Sequence, residues 1–173
     1  MNQTSLNKLL LKTAFACMAC DGDIDKREVG LIKSMHKDRK IFGDIEIGEE
    51  LDELLRSMRH DAHQFLKGFF HELSIGDLLE EEELKLVEVA IETIKADEKV
   101  EYSEIKFFKV IRSKLKIQDD PILLIHPDFE EYLEQDVLSD SYLSKLQDDY
   151  FDVHKTLINN VTETMYLVKK EID

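Results

Sequence analysis

The chain has 173 residues, 43% of them hydrophobic and 35% charged, with a formal net charge of −15 at pH 7. That length suits one domain with an appendage and a real hydrophobic core, and the apolar fraction is too high for a disordered chain. The charge argues against a nucleic-acid backbone or an anionic membrane as the main partner, and favours cations, basic protein surfaces or plain solubility.

Only six glycines and two prolines interrupt the chain, which favours helices over a turn-rich β protein. Residues 5–20 read as a helix, with Leu6, Leu10, Ala14 and Cys17 on one stripe and Gly22 placed to end it. Asp25 stands three residues before Glu28, the spacing of a capping box, and opens a second helix through about Lys40 with Val29, Ile32 and Met35 on one face. Gly43 and Gly48 bracket a loop. Helices over 49–59 and 61–73 follow, joined near Arg59-His60-Asp61, and Ser74-Ile75-Gly76-Asp77 is a break. The spacing of Leu84, Val87, Ile91 and Ile94 predicts a helix over 80–96, and that of Ile105, Phe108, Ile111 and Leu115 predicts another over 102–115. No segment alternates apolar and polar residues as a strand would, so the fold class is all-α.

Asp119-Asp120-Pro121 is the strongest linker signal, dividing a helical domain over 1–116 from a helical C-terminal extension over 117–173. From about 140 to 170, Leu143, Leu146, Tyr150, Val153 and Leu157 step by three and four residues. This helix is expected to pack back on the core, and the alternative is a docking or homodimerisation helix. No apolar run approaches the length of a membrane span, and Met1-Asn-Gln-Thr-Ser has no charged region leading into an apolar one. The expectation is a soluble cytoplasmic protein without direct membrane insertion.

The strongest functional signal is an acidic turn that occurs twice. One offset (97 − 21 = 76) superposes Asp21 on Asp97, Asp25 on Glu101 and Glu28 on Glu104. The same offset pairs Ile24 with Val100, Ala14 with Ala90, and Leu31 and Ile32 with Phe107 and Phe108. A period this long with two copies points to two halves of one domain, which can face each other and bring the six carboxylates together. Asp25 and Glu28 are explained without metal, as a cap and its box partner at the positive end of a helix. Asp21 is harder to explain that way, because it meets the negative end of the preceding helix. Two like charges ~5 Å apart at an effective dielectric near 20 repel by roughly 3 kcal/mol, so convergence of the turns calls for a cation or a basic side chain. The alternative is a set of solvated helix-end carboxylates. Oxygen ligands alone select hard cations, Ca²⁺ or Mg²⁺. The first turn is not an EF-hand loop, since Lys26 stands where that loop needs Gly and Ile32 where it needs Glu.

At Asp21-Gly22-Asp23-Ile24 with Glu28, and at Asp97-Glu98-Lys99-Val100 with Glu104, the chain resembles the TerB (tellurite-resistance) family. Glu98 stands where that pattern usually has Gly, and the likeness covers about residues 5–116. The resemblance implies an all-helical module of two pseudo-repeated halves, acidic clusters that bind divalent cations, and a place in stress-response complexes with protein partners. It implies no catalytic chemistry.

Other constellations are weaker. Cys17 and Cys20 form a CxxC without the βαβ context of a redox motif or a second ligand pair for zinc, and the offset aligns them with Thr93 and Ala96, so packing is the expectation. His60 and His63 lack a third ligand, His71-Glu72 lacks a zincin's second His, and the Glu80–Glu83 run is a helix N-terminal charge cluster. The chain is thus expected to be a non-enzymatic sensing or accessory module that binds a divalent cation through Asp21, Asp25, Glu28, Asp97, Glu101 and Glu104 and docks a protein partner. The alternative is a metal-free acidic adaptor.

Overall fold

The structure, a computed structural model, describes residues 1–20, 26–96, 100 and 102–133, with the backbone alone for 26–29. Among the described residues there are helices and no strand. The elements are α1 (Gln3–Met18), α2 (Lys26–Lys37), α3 (Ile47–His60), α4 (Ala62–Ile75), α5 (Glu80–Ile94), α6 (Tyr102–Ser113) and α7 (Asp119–Ile125), then a 3-10 turn (Pro127–Phe129) and the short α8 (Glu130–Leu133).

Local chemistry fixes the ends. Asn2 caps α1 by accepting from the Ser5 N–H at 2.8 Å, and Asp61 caps α4 by accepting from the Gln64 N–H at 3.0 Å. Asp61 is also extended (φ −160°), so a single residue turns the chain between α3 and α4. The second helix stops at Lys37, short of the expected Lys40, where Lys40 adopts a left-handed φ of 51°. Gly48 lies in the first turn of α3 rather than in a loop, and α4 runs on through Ser74 and Ile75, with the Ser74 hydroxyl donating back to the Phe70 carbonyl at 2.9 Å.

Asp119-Asp120-Pro121 is not a linker but the first turn of α7. Proline costs nothing there because the N–H it lacks has no partner inside the helix, and two aspartates suit the positive helix end. Arg112, in the last turn of α6, donates from Nη2 to Asp119 Oδ1 at 2.8 Å and ties the two helices together.

The core is one cluster. It runs from Leu6 through Phe15, Phe69, Leu86 and Phe108 to Ile122, Phe129 and Leu133. Phe108 meets Phe129 edge-on at 5.1 Å, and Phe129 meets Tyr132 at 4.8 Å, so residues 117–133 share the core of the first six helices. The long helix expected over 140–170, with its proposed dimerisation role, lies outside the described residues.

Among the described residues α1 and α5 make the most extensive helix pair. Their direction follows from three contacts. Phe15 touches Phe65 early in α4, with ring centroids 5.7 Å apart, and Lys12 pairs with Glu72 late in it at 2.8 Å, so α4 runs back along α1. The Met1 nitrogen then donates to the Asp77 carbonyl at 3.3 Å, beside the connection into α5. α5 therefore starts at the end where α1 starts, and the two run in parallel.

Candidate functional site

Parallel packing of α1 and α5 brings their C-terminal caps, Ala19 and Lys95, to one end of the molecule. Both acidic turns leave from that end. The offset of 76 maps α2 onto α6 from end to end (26 + 76 = 102, 37 + 76 = 113). Some buried residues match at the same offset, Leu10 with Leu86, Ala14 with Ala90, Ile32 with Phe108 and Met35 with Ile111, whereas Leu9 is buried and its counterpart Lys85 is exposed.

Of the six expected ligands, Asp21, Asp25, Asp97 and Glu101 lie outside the described residues, and Glu28 is described only by its place in the first turn of α2. Glu104 is fully described. It sits in the first turn of α6 and is only 5% exposed, although a solvated helix-end carboxylate would stand in water. Val100, at the exit of the second turn, packs against the core. Among the described residues no group of three His, Cys, Asp or Glu side chains converges as a metal site.

Lys95 supplies positive charge at this end. Its ammonium pairs with Asp128 and lies 5.9 Å from the centroid of the Phe129 ring. Hydrogen bonding from Lys95 holds the Asp128 carboxyl below its usual pKa. The C-cap of α5 is thereby tied to the segment that follows α7.

Cys17 and Cys20 are each 1% exposed and form no disulfide, which places the CxxC in the core. His60, His63 and His71 are exposed, on the end of α3 and along α4.

The glutamate run at the start of α5 does more than complement the helix dipole. Glu82 accepts from the Leu79 N–H at 2.9 Å. Glu83 is 3% exposed, and its Oε2 accepts from the backbone N–H groups of Lys116 at 2.8 Å and Ile117 at 2.6 Å. Sequence reasoning missed this role, yet the offset held a signal. Residue 7 maps onto residue 83 (7 + 76 = 83), and Asn7 is also a buried polar residue, 7% exposed, early in α1. Asn7 packs on the loop after α2, as Glu83 holds the loop after α6. A Cβ on Gly43 would come within 2.2 Å of Asn7 Nδ2, and Gly43 has φ +60° besides, so glycine is required there twice over.

Comparison with protein-family models, with curated proteins and with solved structures found no match to this chain.

Proposed function

We propose that the chain is a cation-responsive helical module of the TerB-like kind, whose two acidic turns take a divalent cation, Ca²⁺ or Mg²⁺, and whose clamped form is presented to a protein partner in the cytoplasm. The observation that carries this reading is the parallel run of α1 and α5, which starts both turns from one end of the bundle, with Glu104 buried at that end. Asp21, Asp25 and Glu28 from one turn and Asp97, Glu101 and Glu104 from the other would supply the oxygen donors that a hard cation prefers. A role in stress response or tellurite resistance rests on the family likeness of the turns alone, and no catalytic step belongs to the proposal.

The test is titration of chelator-stripped protein with Ca²⁺, Mg²⁺ and Mn²⁺, followed by calorimetry and by thermal unfolding. A ligand that binds the folded state alone stabilises it by about 2.7 kcal/mol at a hundredfold excess over its Kd. For a chain of this size that raises the melting temperature by roughly 5–10 °C. Asp21→Ala and Asp97→Ala should each abolish the rise. Equal responses in the variants and the parent protein would remove the acidic turns as the site.

A metal-free adaptor is the second reading, and one feature favours it. Leu124 and Ile125 on α7 are 85% and 46% exposed, near Asp119, Asp120, Asp128 and Glu130 in sequence. Apolar side chains with acidic neighbours suit a partner that is both apolar and basic. A protein that shows no cation response yet captures such a peptide, and loses it on Leu124→Ser, would decide for this reading.

A further inference from the structure

A cleft of about 580 Å³ opens between the first half of α1, the later part of α5 and the loop over 39–44. That volume is within the range of small-molecule sites. Its floor is built from the buried side chains of Leu6, Leu10 and Val89 with the Asn7 carboxamide. Asn7 Oδ1 accepts from Gln3 Nε2 at 2.8 Å, and among the described residues its amide NH₂ has no acceptor.

The charged lining is divided in kind. Arg39 is already engaged: its guanidinium forms a two-pronged pair with Glu92, the second prong 3.0 Å from Nη2 to Oε1. That hydrogen bonding raises the Arg39 pKa above its usual value, with Glu88 adding to it. Lys40 on the loop and Lys85 on α5 also line the cleft, and among the described residues neither has an ion-pair partner, in a chain with 38 acidic side chains to 23 basic ones. Lys40 further holds the left-handed conformation that glycine would adopt without strain. Glu88, one helical turn beyond Lys85 and less exposed than it, places a carboxylate in the same wall.

We infer that this cleft binds a small zwitterion, a free amino acid or dipeptide with an apolar side chain, its carboxylate held by Lys40 and Lys85, its ammonium by Glu88, and its side chain on Leu6, Leu10 and Val89. A simple anion fits less well, because Asp44, Glu88 and Glu92 cancel the formal charge of Arg39, Lys40 and Lys85. A simple cation leaves both lysines unused. The inference is independent of the acidic turns, and its test is run in chelator so that the two stand or fall separately.

The test is a ¹⁵N-resolved NMR titration of the full chain with L-leucine and with the dipeptide Leu-Leu, up to roughly 10 mM, enough to detect a millimolar Kd. The expected result is saturable shifts confined to the start of α1, residues 39–44 and residues 85–92. N-acetyl-leucine, which lacks the ammonium, and leucinamide, which lacks the carboxylate, should each bind at least about tenfold more weakly, because each loses a charge-assisted hydrogen bond. Lys85 is exposed, so Lys85→Ala should keep a native spectrum while weakening L-leucine about tenfold. Glu88→Gln should do the same through the ammonium. Absence of saturable shifts with both probes overturns the inference. So does equal binding of either half-charged analogue, or unchanged affinity in both variants.

Discussion

Glu83 offers the sharpest test of how the two ends of the fold are fastened. Its carboxylate is 3% exposed, and one oxygen accepts both the Lys116 and the Ile117 backbone N–H. Hydrogen bonds to a charged group contribute about 1.5–3 kcal/mol each, and a buried donor left without a partner costs about 1–3 kcal/mol. The Ile117 amide is buried, so Glu83→Ala leaves it stranded, whereas the partly buried Lys116 amide can recover water. The stranded-donor cost is already part of what a lost bond costs, so the two bonds together come to about 3–6 kcal/mol, a large share of the roughly 5–15 kcal/mol that stabilises an ordinary domain. It corresponds to a fall in melting temperature of roughly 6–24 °C. Because both bonds converge on a single oxygen, Glu83→Gln keeps an acceptor in place and should cost about half as much. Urea unfolding of the three proteins gives the free energies, and hydrogen exchange at the Lys116 and Ile117 amides shows whether the loop is released. An alanine variant within about 1 kcal/mol of the parent protein, or a glutamine variant as damaged as the alanine one, would refute this account.

Two further outcomes follow from the same contacts. Phe129→Ala should cost about 3–5 kcal/mol in urea unfolding, because Phe129 is 2% exposed and packs on both Phe108 and Tyr132; a loss near zero would detach residues 117–133 from the core. Hydrogen bonding from Lys95 depresses the Asp128 pKa, so its contribution is present above the ordinary aspartate range and is lost as pH falls through the folded-state value. The pair is largely exposed, so Asp128→Asn should lower stability by no more than about 1 kcal/mol at neutral pH. Thermal melts taken in parallel should show that gap closing in acid, and a gap that persists there would assign it to packing.

The helices were legible in the sequence because their apolar spacing is regular and their breakers are few. Asp61 announced the junction between α3 and α4, and Ala14 with Ala90 marked a buried pair. Asp119-Asp120-Pro121 misled, because the chemistry that ends one segment also starts a helix, and the ion pair with Arg112 that decides between them is a tertiary contact. Of the predicted inward stripe of α6, Phe108, Ile111 and Leu115 are buried and Ile105 is half-buried, and Glu104, Phe107 and Val110 widen the buried face beyond it. A charged residue is discounted in any search for an apolar face, so the burial of Glu104 and Glu83 could not be read from spacing. The offset named Glu104 as a ligand candidate but said nothing of its burial. It also held the match between Asn7 and Glu83, which a search limited to like residues passes over.

That match bears on how a cation at the acidic turns would act. A ligand between two helical pairs can report on their relation only if each pair is already rigid; otherwise its binding energy is dissipated in ordering one hairpin locally. The chain that leaves α2 comes close against Asn7 of α1 at Gly43. α6 folds back on α5, and the chain that leaves it is held by Glu83. Each hairpin is thus fastened at the end away from its acidic turn, one by shape and the other by hydrogen bonds. A cation at the turns would act at the other end, where α1 and α5 end at Ala19 and Lys95. If the Glu83 contact is what makes the second hairpin rigid, Glu83→Gln should keep cation affinity at the turns but reduce the thermal stabilisation that the cation confers. Such a split is not expected of a carboxylate that acts only on the stability of its own loop.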